Sequence, residues 1–153
     1  MLQLPSRGSL TLVVLLAAAC SSSKPATQPK PASVVPEFVV PNSRNSPFSP
    51  VVKVGNTLYV SGQLGTGAGQ SGVAAETTAA LTRISQLLKQ AGSSMERVAK
   101  CTVMLDDMKN WNAMNDAYIA FFPADKRPAR SSFGATALAQ GGHVEIECIA
   151  TVD

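Results

Sequence analysis

The sequence predicts an α+β sandwich of order ββαβαββ, a mixed sheet with two helices on one of its faces. Three observations carry this prediction. A Gly-Asn pair joins two β-rich runs, two later stretches repeat apolar residues at helical spacing, and three runs of strand character stand around those stretches.

The elements follow in order. Val51–Val54 and Thr57–Ser61 flank Gly55-Asn56, a pair suited to the positive φ angles of a tight hairpin, so two strands open the domain. Residues 62–72 hold five glycines and few apolar side chains, which marks a loop or a place where something approaches the backbone closely. Thr77, Leu81, Ile84, Leu88 and Ala91 then recur at spacings of 4, 3, 4 and 3, one face of a helix that Gly92 stops. Val98–Leu105 alternates with a period of two and ends at Asp106 and Asp107. Trp111, Met114, Tyr118, Phe121 and Phe122 give a second amphipathic helix, closed by Pro123, and this aromatic group reads as core. Strands over Ala129–Ala137 and Val144–Val152 complete the order, joined by a loop with Gly141 and Gly142. On the last strand Val144, Ile146, Cys148 and Ala150 share one face, while Glu145, Glu147, Ile149 and Thr151 share the other. A second face of that mixed kind suits a subunit interface with a polar pocket.

Composition narrows the function classes. A chain of 153 residues with 45% hydrophobic and 15% charged residues can bury a core, which excludes a wholly disordered, coiled-coil or collagenous protein. Three cysteines are too few for a disulfide scaffold. The formal charge of +3 arises from Arg7, Lys24 and Lys30; without them ten basic residues (13 less 3) face ten acidic ones. The stretch 36–153 is therefore formally neutral, which removes the main support for a nucleic-acid partner.

The amino terminus reads as an address. Leu10–Ala19 is an apolar run too short to span a bilayer, and it leads through small residues into Cys20. This resembles a bacterial lipoprotein signal, which implies that Cys20 becomes the acylated first residue at the periplasmic face of the cell envelope. An Ala-x-Ala site in the same stretch leaves open a soluble periplasmic product. Residues 1–19 are thus read as a signal peptide, 20–36 as a lipidated Cys with a flexible Ser/Pro tether, and 37–153 as the domain.

Four segments carry a second resemblance: Ser46-Pro47-Phe48-Ser49-Pro50, Leu58 to Gln63, Asn115 to Phe122, and Arg127-Pro128-Ala129-Arg130-Ser131 followed by Val144-Glu145-Ile146-Glu147. In this order they resemble the RidA (YjgF) family of small enamine/imine deaminases. The resemblance implies a chorismate-mutase-like sandwich, a homotrimer whose sheets enclose a central barrel, and sites in the subunit interfaces. It also implies hydrolysis of reactive 2-imino or enamino acids to 2-oxo acids and ammonia, with no metal and no organic cofactor. Arg130 matches the family's arginine, whose planar fork can hold the substrate carboxylate through two parallel hydrogen bonds. Glu145 matches the carboxyl group that delivers water to the C=N carbon and a proton to the departing nitrogen. By the same resemblance Ser61 and Gly62 line the pocket wall, Asn115 supports it, Ser132 stands where the family often has Cys, and Phe48 where many members carry Tyr.

Other readings stand beside these. Arg130 and Glu145 could form a structural ion pair at an interface. Glu147 reads as structural. His143 follows two glycines with no second His and no ligand spacing, so it reads as a solvated loop residue. Cys101 and Cys148 read as small buried apolar residues, with a disulfide open to them in an oxidising compartment. The second function class is a non-catalytic trimeric module that binds a carboxylate metabolite, which would need Arg130 but not Glu145.

Overall fold

The computed structural model describes residues 34–67, 69 and 71–153. The signal segment, Cys20 and the tether up to residue 33 lie outside the described residues.

The hairpin forms where Gly55 supplies φ of 58°, joining β1 (Val51–Val54) to β2 (Thr57–Leu64). After the glycine-rich loop come α1 (Val73–Gln90), β3 (Val98–Leu105), α2 (Trp111–Ile119), β4 (Ala129–Gly134) and β5 (Val144–Thr151). The five strands make one sheet of order β1-β2-β5-β3-β4. All pairings are antiparallel except β3 with β4, so the sheet is mixed. The fold class is the predicted one.

The helical stripe works as its spacing requires. Thr77, Leu81, Ile84 and Leu88 of α1 are fully buried against the sheet face that presents Leu58, Val103, Ile146 and Ala150, and each large aliphatic side chain so buried contributes about 1.5–3 kcal/mol. α2 adds Met114 and Tyr118 to the same layer. Among the described residues no helix covers the opposite face of the sheet; Tyr59 and Phe133 stand there 47% and 50% exposed. Glu37 closes part of the β1 edge, exchanging two 2.8 Å backbone hydrogen bonds with Lys53.

Three boundaries differ from the sequence reading. β2 runs past Ser61 to Leu64, because β5 is long enough to pair with Gln63 and Leu64 once one extra residue is absorbed in a bulge between Val60 and Gln63. β4 stops at Gly134, since its partner strand β3 ends at Leu105, which faces it. α2 ends at Ile119, and Phe122 reaches the core from the turn that follows. One alternative left open by the sequence is decided: Cys101 and Cys148 are buried, as read, and form a disulfide. They face each other across β3 and β5 with Cα atoms 4.1 Å apart, both beneath the helices, a proximity that no linear pattern encodes.

Candidate active site

Strand register sorts the candidate residues onto two faces. Glu145 faces Leu64 and Met104, and Met104 in turn faces Phe133, so its carboxylate belongs to the open side of the sheet. Arg130 faces Cys101, which faces Cys148, so the guanidinium belongs to the helix side. Within one chain the two do not meet, and neither forms an ion pair among the described residues. A structural Arg130–Glu145 pair inside the chain is thereby excluded.

The open-face cleft encloses about 280 Å³ between Phe48, Ser61, Gly62, Glu145 and Glu147. It exists because of the β2 bulge. Gly62 sits in that bulge against the Glu145 carboxyl group, and a Cβ at residue 62 would displace that carboxyl group from its present position. Ser61 is pinned from both ends: its N–H donates to the Pro50 carbonyl at 3.0 Å and its hydroxyl to the Ser49 carbonyl at 2.7 Å. Asn42 and Ser46 both donate to the Phe48 carbonyl, so the backbone that carries the exposed Phe48 ring is fixed over the cleft. Glu147, read as structural, lines this cleft and is exposed.

The second cleft, about 410 Å³, lies at the β4 edge on the helix side and is lined by Asn115, Tyr118, Ile119, Arg127, Pro128 and Arg130. Ser132 follows Arg130 on the same strand face. Asn115 Oδ1, Ser132 Oγ and the Tyr118 hydroxyl are buried with no hydrogen-bond partner in this structure. Leaving such groups unpaired costs about 1–3 kcal/mol each, and the residues that carry two of them, Asn115 and Tyr118, line the cleft with Arg130, a place suited to a polar ligand. Burial pushes the Tyr118 phenol up to about 12, against the opposing influence of Arg130, and the ring stays neutral at physiological pH.

Tyr118, Arg127 and Trp111 were missed as site residues. The signal lay in the helical period: Trp111, Asn115 and Tyr118 are spaced by 4 and 3, which places the aromatic pair on the face of the selected asparagine. The aromatic group is also more than core, because the Arg130 guanidinium rests 5.2 Å from the Trp111 ring centroid and 4.7 Å from that of Tyr118.

His143 is a partly exposed loop residue, as its sequence position reads, and it is also paired. Its Nδ1 lies 2.7 Å from Asp106 Oδ2, and its backbone N–H donates to Glu76 Oε2 at 2.8 Å. The bond to Asp106 lifts the imidazole above its ordinary range and holds the Asp106 carboxyl below its own. The pair fastens the start of β5 to the end of β3 and lines neither cleft.

Comparison with known proteins bears on this arrangement. The family described as Endoribonuclease L-PSP matches residues 41–152. The chain is 44% identical over 109 residues to the goat (Capra hircus) protein named 2-iminobutanoate/2-iminopropanoate deaminase, covering 68% of this chain and 79% of that one. It is 37% identical over 111 residues to Reactive Intermediate Deaminase A, chloroplastic, of Arabidopsis thaliana, covering 69% of this chain and 59% of that one. Among solved structures, RidA from the Antarctic bacterium Psychrobacter sp. superposes with a TM-score of 0.66 at 32% identity, over 78% of this chain and 98% of that one. The matched span includes both clefts and the strands that build them, and on that basis the chain belongs to the RidA (YjgF) family.

Proposed function

We propose that the protein hydrolyses reactive 2-imino or enamino acids to 2-oxo acids and ammonia, in sites completed between copies of a homotrimer. The observation that carries this reading is the division of the site: a carboxylate-binding cleft at the β4 edge and an acid/base cleft on the open face, on opposite sides of one sheet. Such halves become one site only when the edge of one copy meets the open face of another. The half-exposed Tyr59 and Phe133 on that face favour such burial. The names of the deaminase relatives support the reaction class.

In the proposed reaction Arg130 holds the substrate carboxylate through its N–H edge, with Asn115 and Ser132 beside it. The Glu145 carboxylate of the neighbouring copy takes a proton from water as the water oxygen bonds to the C=N carbon, and passes that proton to the imine nitrogen, giving a neutral carbinolamine. It then takes the hydroxyl proton as the C=O bond forms and gives it to the nitrogen as the C–N bond breaks and ammonia leaves. Both protons come from the one water, so atoms balance and Glu145 ends as the carboxylate it began. Phe48 offers an apolar wall where a hydroxyl would have contributed a hydrogen bond. Anchoring through acylated Cys20 is part of the proposal; the Leu10–Ala19 run supports it, and the Cys101–Cys148 disulfide supports a compartment outside the reducing cytosol.

Initial rates on freshly generated imino acids, with calorimetry of a 2-oxo acid, test the reading. Arg130→Lys should weaken carboxylate capture by about 1.5–3 kcal/mol with the trimer intact. Glu145→Gln should still bind the 2-oxo acid while turnover falls by about two to four orders of magnitude. Mixing the two variants in refolded trimers should restore about a quarter of the sites, because an intact Arg and an intact Glu then meet by chance in adjacent copies. A mixture no more active than its components would refute a shared site. Carboxylate binding without any turnover in the unmodified protein would favour the binding-module reading.

A further inference from the structure

Trp111, Met114 and Tyr118 stand on one face of α2, at spacings of 3 and 4, and all three meet the side chain of Arg130. The two ring contacts are given above; in addition a guanidinium N–H points at the Met114 sulfur at 3.9 Å. No carboxylate pairs with Arg130 among the described residues. A partly buried arginine is ordinarily held by an acid, and that arrangement has a consequence: the bidentate N–H edge is then committed to the protein. An aromatic face attracts the same cation through its quadrupole and accepts no N–H of that edge.

We propose that Trp111 and Tyr118 are positioning residues, an aromatic clamp that orients Arg130 through its π surface and leaves its N–H edge uncommitted for a substrate carboxylate. The inference rests on the reading of Arg130 as the carboxylate-binding group. Three features beyond the ring distances agree with it. The elevated Tyr118 pKa keeps the phenol from becoming an anion that would itself pair with Arg130. The thioether is a weak acceptor and leaves the stronger donors free. The long arginine side chain loses much rotamer freedom when it is fixed, and fixing it before the ligand arrives removes that cost from binding.

The test separates orientation from mere core packing. On the full chain, Trp111→Leu removes the π face but keeps an apolar side chain, and Trp111→Phe restores a π face. Probes are pyruvate in calorimetry and an imino acid generated in place from alanine by an amino-acid oxidase. Trp111→Leu should raise both KM and the pyruvate Kd by about 3- to 30-fold with kcat within about twofold, and Trp111→Phe should return both close to the unmodified values. Equal values for Leu and Phe, or a loss confined to kcat, would overturn the clamp. Should Trp111→Leu fail to fold, NMR of the unmodified protein decides: Arg130 Cδ protons shifted upfield by ring currents support the clamp, and Cδ protons at their ordinary position refute it. An unmodified protein that shows these shifted protons but binds no pyruvate would instead sink the carboxylate assignment.

Discussion

His143 and Asp106 illustrate what a single residue's neighbours add. Both were visible in the sequence, one as a lone histidine after two glycines and one as a strand-ending acid, yet 37 positions separate them and no local pattern joins them. Their pairing fixes a pH dependence. The folded pKa of His143 is raised, so its contribution is complete below the ordinary histidine value and is lost as pH rises through the raised one. That of Asp106 is lowered, so its contribution is complete above the ordinary aspartate value and is lost as pH falls through the lowered one. Both contributions coincide between about pH 4 and 6.5. His143→Gln should therefore depress Tm most within that window, and the deficit should shrink above it and at high salt, because the pair is partly exposed. A deficit independent of pH, measured across melts from about pH 3 to 9, would show that the ion pair contributes nothing. Arg130, Glu145, Phe48, Ser61, Gly62, Asn115 and Ser132 were named through the family resemblance, and the structure brings Phe48, Ser61, Gly62 and Glu145 to one cleft and Asn115 and Arg130 to another. Trp111 and Tyr118 were legible only as a helical stripe, since the same periodicity serves a buried core and a seat for a cation.

At the scale of elements, the two helices and the alternating strands were readable because their periods differ, 3.6 against 2. Ends were less readable. The last residues of β2 are strand only because β5 lies beside them, and the glycine that looked like loop is the bulge that admits Glu145. The β3–β5 pairing carries the disulfide, whose cysteines are 47 positions apart. Closing a loop of that length restricts the unfolded chain by about 4 kcal/mol on the chain-entropy model. The double variant Cys101→Ala/Cys148→Ala, or reduction of the unmodified protein, should thus lower the unfolding free energy by about 2–4 kcal/mol in guanidinium titrations. Identical midpoints with and without reductant would show that the bridge bears no load in solution.

For the whole molecule, the placement of the two clefts on opposite sheet faces has the widest consequence, since under the proposed function the assembly is the functional unit. The proposed export belongs to the same scale. Under that proposal Cys20→Ala should move the protein from the membrane to the soluble fraction with the Tm of the domain unchanged, because Cys20 lies in a Ser/Pro-rich stretch of sequence with few apolar residues. Mass spectrometry of the mature amino terminus checks the modification, and an unmodified Cys20 at that terminus would refute the anchor. The sequence by itself determined the order of elements, the stripe that each helix buries and the formal neutrality of residues 36–153, all of which depend on composition, local periodicity or linear spacing. The candidate site residues came from the resemblance to a family. Only the tertiary structure decided that Arg130 and Glu145 point to opposite sides of one sheet, that Cys101 meets Cys148 and that Arg130 rests on α2. Two-residue alternation tells which residues of a strand share a side, but not which side the helices cover. That choice is made by strand order and register, through pairings between residues far apart in the chain.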